Sequence, residues 1–360
     1  MIPVSKPLLD EKELGQITEV INSGMLAQGP KVKKFEDDFA KYIGTKHAIA
    51  TNSGSAALHV GLLSAGIGRG DEVITTPFTF IATANSILYC NAKPVFADVN
   101  EGDFNIDPAK IEEKITSKTK ALLAVHLYGQ PCNMDKITDI CNKHNLSLIE
   151  DACQAHGAEF NDQKVGSFGT GCFSFYPTKN MTTGEGGMIT TNSDEIAKKA
   201  RIIRNHGSQK QYFHEMLGYN YRMTDIAAAI GISQLKKLES FIEKRISNAN
   251  YMTNHLQKIK GIIPPKTFNN RRHVFNQYTI RITDDFPVNR GEIEKVLKSN
   301  DIGYGIYYPL PINRQPIYEK SNNDNFPVSE RLCNEVISLP IHPSLDESDL
   351  DNICTVIEGI

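Results

Sequence analysis

The stretch Gly171–Gly187, G-C-F-S-F-Y-P-T-K-N-M-T-T-G-E-G-G, places one lysine between a β-like apolar run and a glycine-rich turn. Lys179 is therefore a candidate covalent catalyst. A lysine amine forms a Schiff base with an aldehyde cofactor, but only after it sheds its proton. Its ordinary pKa is about 10.4, so a site that uses it must depress that value. The flanks suit the task. Cys172, Phe173 and Phe175 are apolar, Ser174 and Thr178 offer hydroxyls, and Gly184, Gly186 and Gly187 let backbone approach a ligand closely.

Working outward, the strand before Lys179 belongs to a series. His47 onward reads as a short apolar strand, a turn Thr51-Asn52-Ser53-Gly54-Ser55, and an apolar helix from Ala56 to Ala65. Such a turn aims unpaired N–H groups and the positive helix end at whatever lies above, which suits a phosphate as well as an ordinary N-cap by Ser53 or Ser55. Further β-like runs occur at Glu72–Thr76, Pro94–Val99, Ala121–Leu127, Leu146–Asp151 and Gly187–Thr191, with helical segments between them. Alternating strands and helices predict an α/β fold whose mostly parallel sheet is covered on both faces. Ligands in such sheets bind beyond the carboxyl ends of the strands, which is where Glu150 and Asp151 fall.

Upstream, Asp10–Ser23 and Val32–Tyr42 carry helical periodicity. Downstream, Thr224 caps a long helix with Ile226, Ile230, Leu235, Leu238, Ile242, Ile246 and Ala249 on one face, long enough to bridge two domains. Val274–Ile282 alternates in a β manner, while Arg290–Ser299 and Asp346–Ile357 read as helices. We expect a large domain over residues 1–245, including an N-terminal arm, and a smaller α+β domain over residues 246–360.

Composition narrows the function. The 360 residues are 40% hydrophobic and 22% charged, an ordinary globular balance, and a net charge of −3 gives no general attraction for nucleic acid. Seven cysteines without a C-x-x-C pair fit a reducing cytoplasm. No run of about 18 apolar residues points to a membrane, and the histidines show no metal-ligand spacing, so no metal is expected. Gly66-Ile67-Gly68-Arg69-Gly70 follows a helix and precedes a strand, the reverse of a dinucleotide fingerprint, which sets aside a nicotinamide oxidoreductase.

Four motifs together carry a resemblance. T-N-S-G-S-A-A-L at Thr51–Leu58, E-D-A-C-Q-A-H-G-A at Glu150–Ala158, F-S-F-Y-P-T-K-N-M-T-T-G-E-G-G at Phe173–Gly187 and G-Y-N-Y-R-M at Gly218–Met223 resemble, in order, the DegT/StrS sugar aminotransferases. These are fold type I pyridoxal phosphate enzymes, so the resemblance implies a seven-stranded sheet between helices and that cofactor. It implies that Lys179 forms the Schiff base and shuttles the proton, and that Asp151 pairs with the pyridinium nitrogen. Gln154 sits near the cofactor's phenolic oxygen and Phe80 stacks on its ring. Ser55, the Ala56 N–H and Ser174 cradle the phosphate, with Asn220 reaching in from the neighbouring subunit of a homodimer with shared active sites. Arg222 either attracts a substrate diphosphate or forms a salt bridge.

The tract Tyr307–Pro316 resembles a family Y-P-x-P-x-H-x-Q segment and adds Tyr308 and Asn313 as substrate contacts. Asn313 stands where histidine is usual and cannot carry a proton. Ser55 replaces the usual threonine and keeps its hydroxyl, and Cys153 replaces an alanine. Relatives that remove a hydroxyl have histidine in place of the lysine, so Lys179 argues for transamination. The implied reaction moves an amino group from L-glutamate to the ketone of a nucleotide-linked keto-deoxy sugar. The tract M-T-T-G-E-G-G favours carbon 4, with carbon-3 keto sugars, cyclic ketones and a non-catalytic regulator that keeps the fold as alternatives.

Overall fold

The structure is a computed structural model that describes residues 1–319 and 324–360. Seven strands, β1 His47–Thr51, β2 Glu72–Thr75, β3 Lys93–Phe96, β4 Thr119–Val125, β5 Ser147–Asp151, β6 Thr170–Ser174 and β7 Gly187–Thr191, form one sheet in the order β1-β7-β6-β5-β4-β2-β3. Strand β7 runs antiparallel to both β1 and β6, and every other pairing is parallel. The sheet is thus mostly parallel and seven-stranded, as expected.

Period-two alternation sorts its side chains. Ile49, Leu123, Ile149, Cys172 and Ile189 meet α3 Gly54–Ser64 and α6 Asp194–Arg204 on one face. Ala48, Ala50, Phe173 and Met188 meet α2 Pro30–Ile43 and α7 Asp225–Leu256 on the other. With both faces apolar, the polar ends of the strands are where chemistry can be exposed.

Helix α7 has 32 residues and, at 1.5 Å per residue, spans about 48 Å. Its Ala228, Ile232, Leu238 and Ile242 pack in the core of the large sheet. Ala249, Met252 and Leu256 pack in a second core. That second core surrounds a three-stranded antiparallel sheet of β8 Ile262–Ile263, β9 Tyr278–Ile282 and β10 Val336–Leu339, in that order. Strand β10 carries no marked alternation, and sequence periodicity did not find it.

The predicted strand Val274–Ile282 is only half right. Tyr278–Ile282 is strand and all five of its residues are buried, so it does not alternate between core and water. Phe275 adopts φ +44, a left-handed backbone incompatible with a strand, and the chain before β9 passes along the loop that follows β4. There the Val274 N–H donates to the Gly129 carbonyl and the Gln277 N–H to that of Tyr128.

Candidate active site

The site is built where α3 starts and β5 and β6 end. Ser53 caps α3, its Oγ accepting from the Ala56 N–H at 3.1 Å. Gly54 and Ser55 follow as the first helical residues, whose N–H groups have no intrahelical partner. A Cβ on Gly54 would lie 2.6 Å from Ser174 Cβ, so glycine is what lets α3 meet the end of β6. Close contact there brings Ser55 and Ser174 to one rim, and both line a cavity of about 590 Å³. Ala56 is buried beneath, and its N–H is taken by the cap.

Glu150 and Asp151 end β5, and the pleat sends them to opposite faces. Glu150 is fully buried. It accepts from the N–H groups of Gly166 at 2.8 Å, Phe168 at 2.9 Å and Gly169 at 2.8 Å, and contacts His126 Nε2 at 3.1 Å. Asp151 faces the cavity at 6% exposure, accepting from Thr83 Oγ1 at 2.8 Å and the Cys153 N–H at 3.2 Å. Thr83 is held in turn by Thr79, their hydroxyls 3.2 Å apart.

Lys179 lies in the connection between β6 and β7. Phe175 fixes that connection at its base: its N–H donates to the Gly186 carbonyl at 2.9 Å, and its own carbonyl accepts from the Thr183 N–H at 3.0 Å. Removal from bulk water holds the Lys179 amine below its ordinary pKa, against the opposing pull of Cys153 and Asp151. A cavity lysine that forms no ion pair among the described residues fits the lowered pKa that a nucleophilic amine requires. His156 packs beside Phe173 and Phe175, with ring centroids 5.4 and 5.6 Å away, and burial reinforced by Lys179 holds its imidazole down to about 3.

Gln154 reaches the cavity from the turn after β5. Its Oε1 accepts from the Tyr128 N–H at 2.9 Å and its Nε2 donates to the Tyr308 hydroxyl at 3.2 Å. Burial pushes the Tyr308 phenol far up, so it stays protonated. Phe80, 55% exposed, lies 6.2 Å from the Tyr308 ring and lines the same space. Lys179, Asp151, Gln154, Ser55, Ser174, Phe80 and Tyr308 are thus brought together.

Three expected residues stand elsewhere within the chain. Asn220 is exposed, and its carbonyl accepts from Asn52 Nδ2 at 3.4 Å. It sits between Tyr219 and Tyr221, stacked 4.9 Å apart. Arg222 donates to Asn205 Oδ1 at 2.7 Å and makes no ion pair among the described residues. Asn313 is fully buried, its Nδ2 donating to the Asp324 carbonyl at 3.3 Å, and it does not line the cavity.

Sequence reading missed Asn276, Gln277, Glu185 and Tyr307, which also line the cavity. Asn276 and Gln277 were hidden inside an apparent strand. Glu185 stood in a quoted motif, and its helpless isolation among glycines was the available signal.

The model of a family described as the DegT/DnrJ/EryC1/StrS aminotransferases matches residues 7–358. Over 92% of its length and 89% of the relative's, the chain is 45% identical to the pleiotropic regulatory protein of Geobacillus stearothermophilus. Over 100% of its length and 98% of the relative's, it is 39% identical to the GDP-perosamine synthase of Caulobacter vibrioides. It resembles the crystal structure of S. venezuelae DesV in complex with a ketimine intermediate with a TM-score of 0.93 and 34% identity, covering 97% of this chain and 94% of that one.

Proposed function

Because the chain belongs to the DegT/DnrJ/EryC1/StrS aminotransferase family and is a pyridoxal phosphate-dependent sugar transaminase, we propose that it moves an amino group from L-glutamate to carbon 4 of a nucleotide-linked keto-deoxy sugar. The observation that carries this reading is the meeting of Lys179, Asp151 and Gln154 in one cavity. Similarity to the GDP-perosamine synthase supports a nucleotide-linked substrate, and the tract from Met181 to Gly187 supports carbon 4.

The residues present fit the cofactor. When bound, it supplies an aldehyde for a lysine amine and a ring that takes up the electron pair left by a broken C–H bond. Lys179 would hold it through its amine and, once released, would carry the proton between the substrate carbon and the cofactor carbon. Asp151, whose carboxylate accepts from Thr83 Oγ1 and the Cys153 N–H, would keep the proton on the ring nitrogen. Gln154 donates toward the phenolic oxygen, and Phe80 covers one ring face. Ser55, Ser174 and the free N–H groups at the start of α3 would hold the phosphate, and the Ala56 N–H, which donates to Ser53 Oγ, would lie beside that cradle.

Asn220 completes the phosphate site of a second copy of the chain, and Arg222 serves that copy's diphosphate-bearing substrate. The exposed position of Asn220 between the stacked rings of Tyr219 and Tyr221 supports such a role. Tyr308 contacts the sugar, and Asn313 supports the segment that carries it. We place the domain boundary at residues 245 and 246, where α7 passes from one core to the other. Seven free thiols support a reducing cytoplasm.

A second reading, a regulator that keeps the fold without turnover, is favoured by the name of the Geobacillus relative. One experiment separates the two. Purified protein is incubated with pyridoxal phosphate, L-glutamate and a panel of keto sugar nucleotides, and products are read by mass. Amination by the wild type and none by Lys179→Ala is expected. Turnover by Lys179→Ala would remove the assignment of that lysine, and no amination of any substrate would favour the regulator.

A further inference from the structure

Arg245 is buried in α7 and forms no ion pair among the described residues. A buried guanidinium without a carboxylate is costly, so the groups it does meet carry the explanation. Its Nη1 donates to the carbonyls of Phe275 at 3.1 Å and Asn276 at 3.5 Å. These belong to the left-handed turn that lies ahead of β9 against the loop after β4.

That turn grips the catalytic connection on both sides of Lys179. Asn276 Nδ2 donates to the Thr178 carbonyl at 3.2 Å and to Asn180 Oδ1 at 3.2 Å. Asn180 Nδ2 donates back to the Val274 carbonyl at 3.2 Å. The residues immediately before and after Lys179 are thereby tied to one short segment, and that segment is tied to the helix shared by both cores.

We propose that Arg245 and Asn276 are positioning residues for Lys179, with Arg245 fixing the turn and Asn276 fixing the backbone from which the lysine side chain projects. The inference rests on Lys179 as the residue that holds the cofactor. Neither residue exchanges a proton with substrate in this role. A lysine anchored in a loop can drift, and a displacement near 1 Å costs on the order of 100-fold in rate. The reciprocal amide pair of Asn180 with Asn276 and Val274 resists such drift at its source.

The test uses the full-length holoenzyme. Asn276→Ala should lower kcat about 10- to 100-fold with little change in KM for the sugar nucleotide, since it loosens Lys179 without removing a binding contact. Arg245→Met leaves buried carbonyls unpaired and is prone to misfold, so Arg245→Lys, which retains charge and a donor, is the working variant. It should reduce kcat in the same direction. The double variant should fall no further than the worse single one, because both act through one contact chain.

Two readouts are independent of turnover. Amide exchange across residues 176–183 should rise in both single variants, and the visible band of the bound cofactor should titrate at a shifted pH. A wild-type kcat for Asn276→Ala, a rise in KM alone, fully additive effects in the double variant, or unchanged exchange across 176–183 would each overturn the proposal. Turnover by Lys179→Ala would instead remove the reading beneath it, so the two failures are distinguishable.

Discussion

Glu150 and Asp151 differ by one methylene and one position, and the pleat of β5 gives them separate work. Glu150 gathers three backbone N–H groups from the chain leading into β6. Glu150→Gln turns an amide N–H₂ toward those donors and should cost roughly 1–3 kcal/mol, read as a lower urea midpoint. If Asp151 holds the ring proton as proposed, Asp151→Asn removes that charge, so single-turnover amination should slow while the urea midpoint stays near that of the wild type. The opposite pattern would reverse their roles. Two carboxylates at a strand tip were legible in the sequence, and alternation then says they diverge. Asn276 and Gln277 were not legible, because polar residues among apolar ones imitate a strand when the left-handed turn at Phe275 is unseen.

Among the elements, the contact of α3 with β6 shapes the cavity rim. Gly54→Ala would press a methyl to 2.6 Å from Ser174 Cβ, and neither neighbour has room to yield without moving the helix start. A loss of about 1–3 kcal/mol is expected. Cofactor affinity, measured by titrating the apoprotein, should weaken as Ser55 and Ser174 separate. Unchanged affinity would show that this rim does not hold the phosphate. Most elements followed from periodicity and local caps: Thr224 accepts from the Ala227 N–H at 3.2 Å, as its place before α7 predicted. The cap of α2 was invisible. Its N-cap is Gly29, which has no side chain to offer, and the Asp225 carboxylate supplies the bonds, accepting from Gly29, Lys31 and Val32 at 2.8 to 3.1 Å. A partner 193 to 196 residues distant leaves no local pattern.

For the whole molecule, two buried imidazoles set an acid limit. Burial holds His156 and His273 down to about 3, whereas an unfolded histidine titrates near 6.5. As pH falls through that window the unfolded chain takes up protons first, so stability that is fully present above about 6.5 is lost progressively toward about 3. Each imidazole contributes a slope of up to about 1.4 kcal/mol per pH unit. The urea midpoint should drop between pH 7 and pH 5, and His156→Met should flatten the fall; a flat wild-type profile would contradict the neutral, buried assignment. The proposed sharing of active sites between two copies makes a separate prediction. Lys179→Ala and an Asn220 substitution should each give inactive dimers. Refolded together, they should recover about a quarter of wild-type activity, because half the dimers mix and each mixed dimer holds one intact site. No recovery despite confirmed exchange would place Asn220 outside the partner's site. The fold has a further consequence for the order in which the chain can be made. Strand β1 pairs with β7, Glu36 pairs with Arg204, and α2 is capped by Asp225, so the first fifty residues acquire these partners only after about 225 have left the ribosome. Until then Phe35 and Phe39, both fully buried in the finished protein, lack the α7 residues Ala228 and Ile232 that complete their core. Ribosome-bound chains exposing only residues 1–180 should therefore be cut by protease within α2, and chains exposing residues 1–256 should resist.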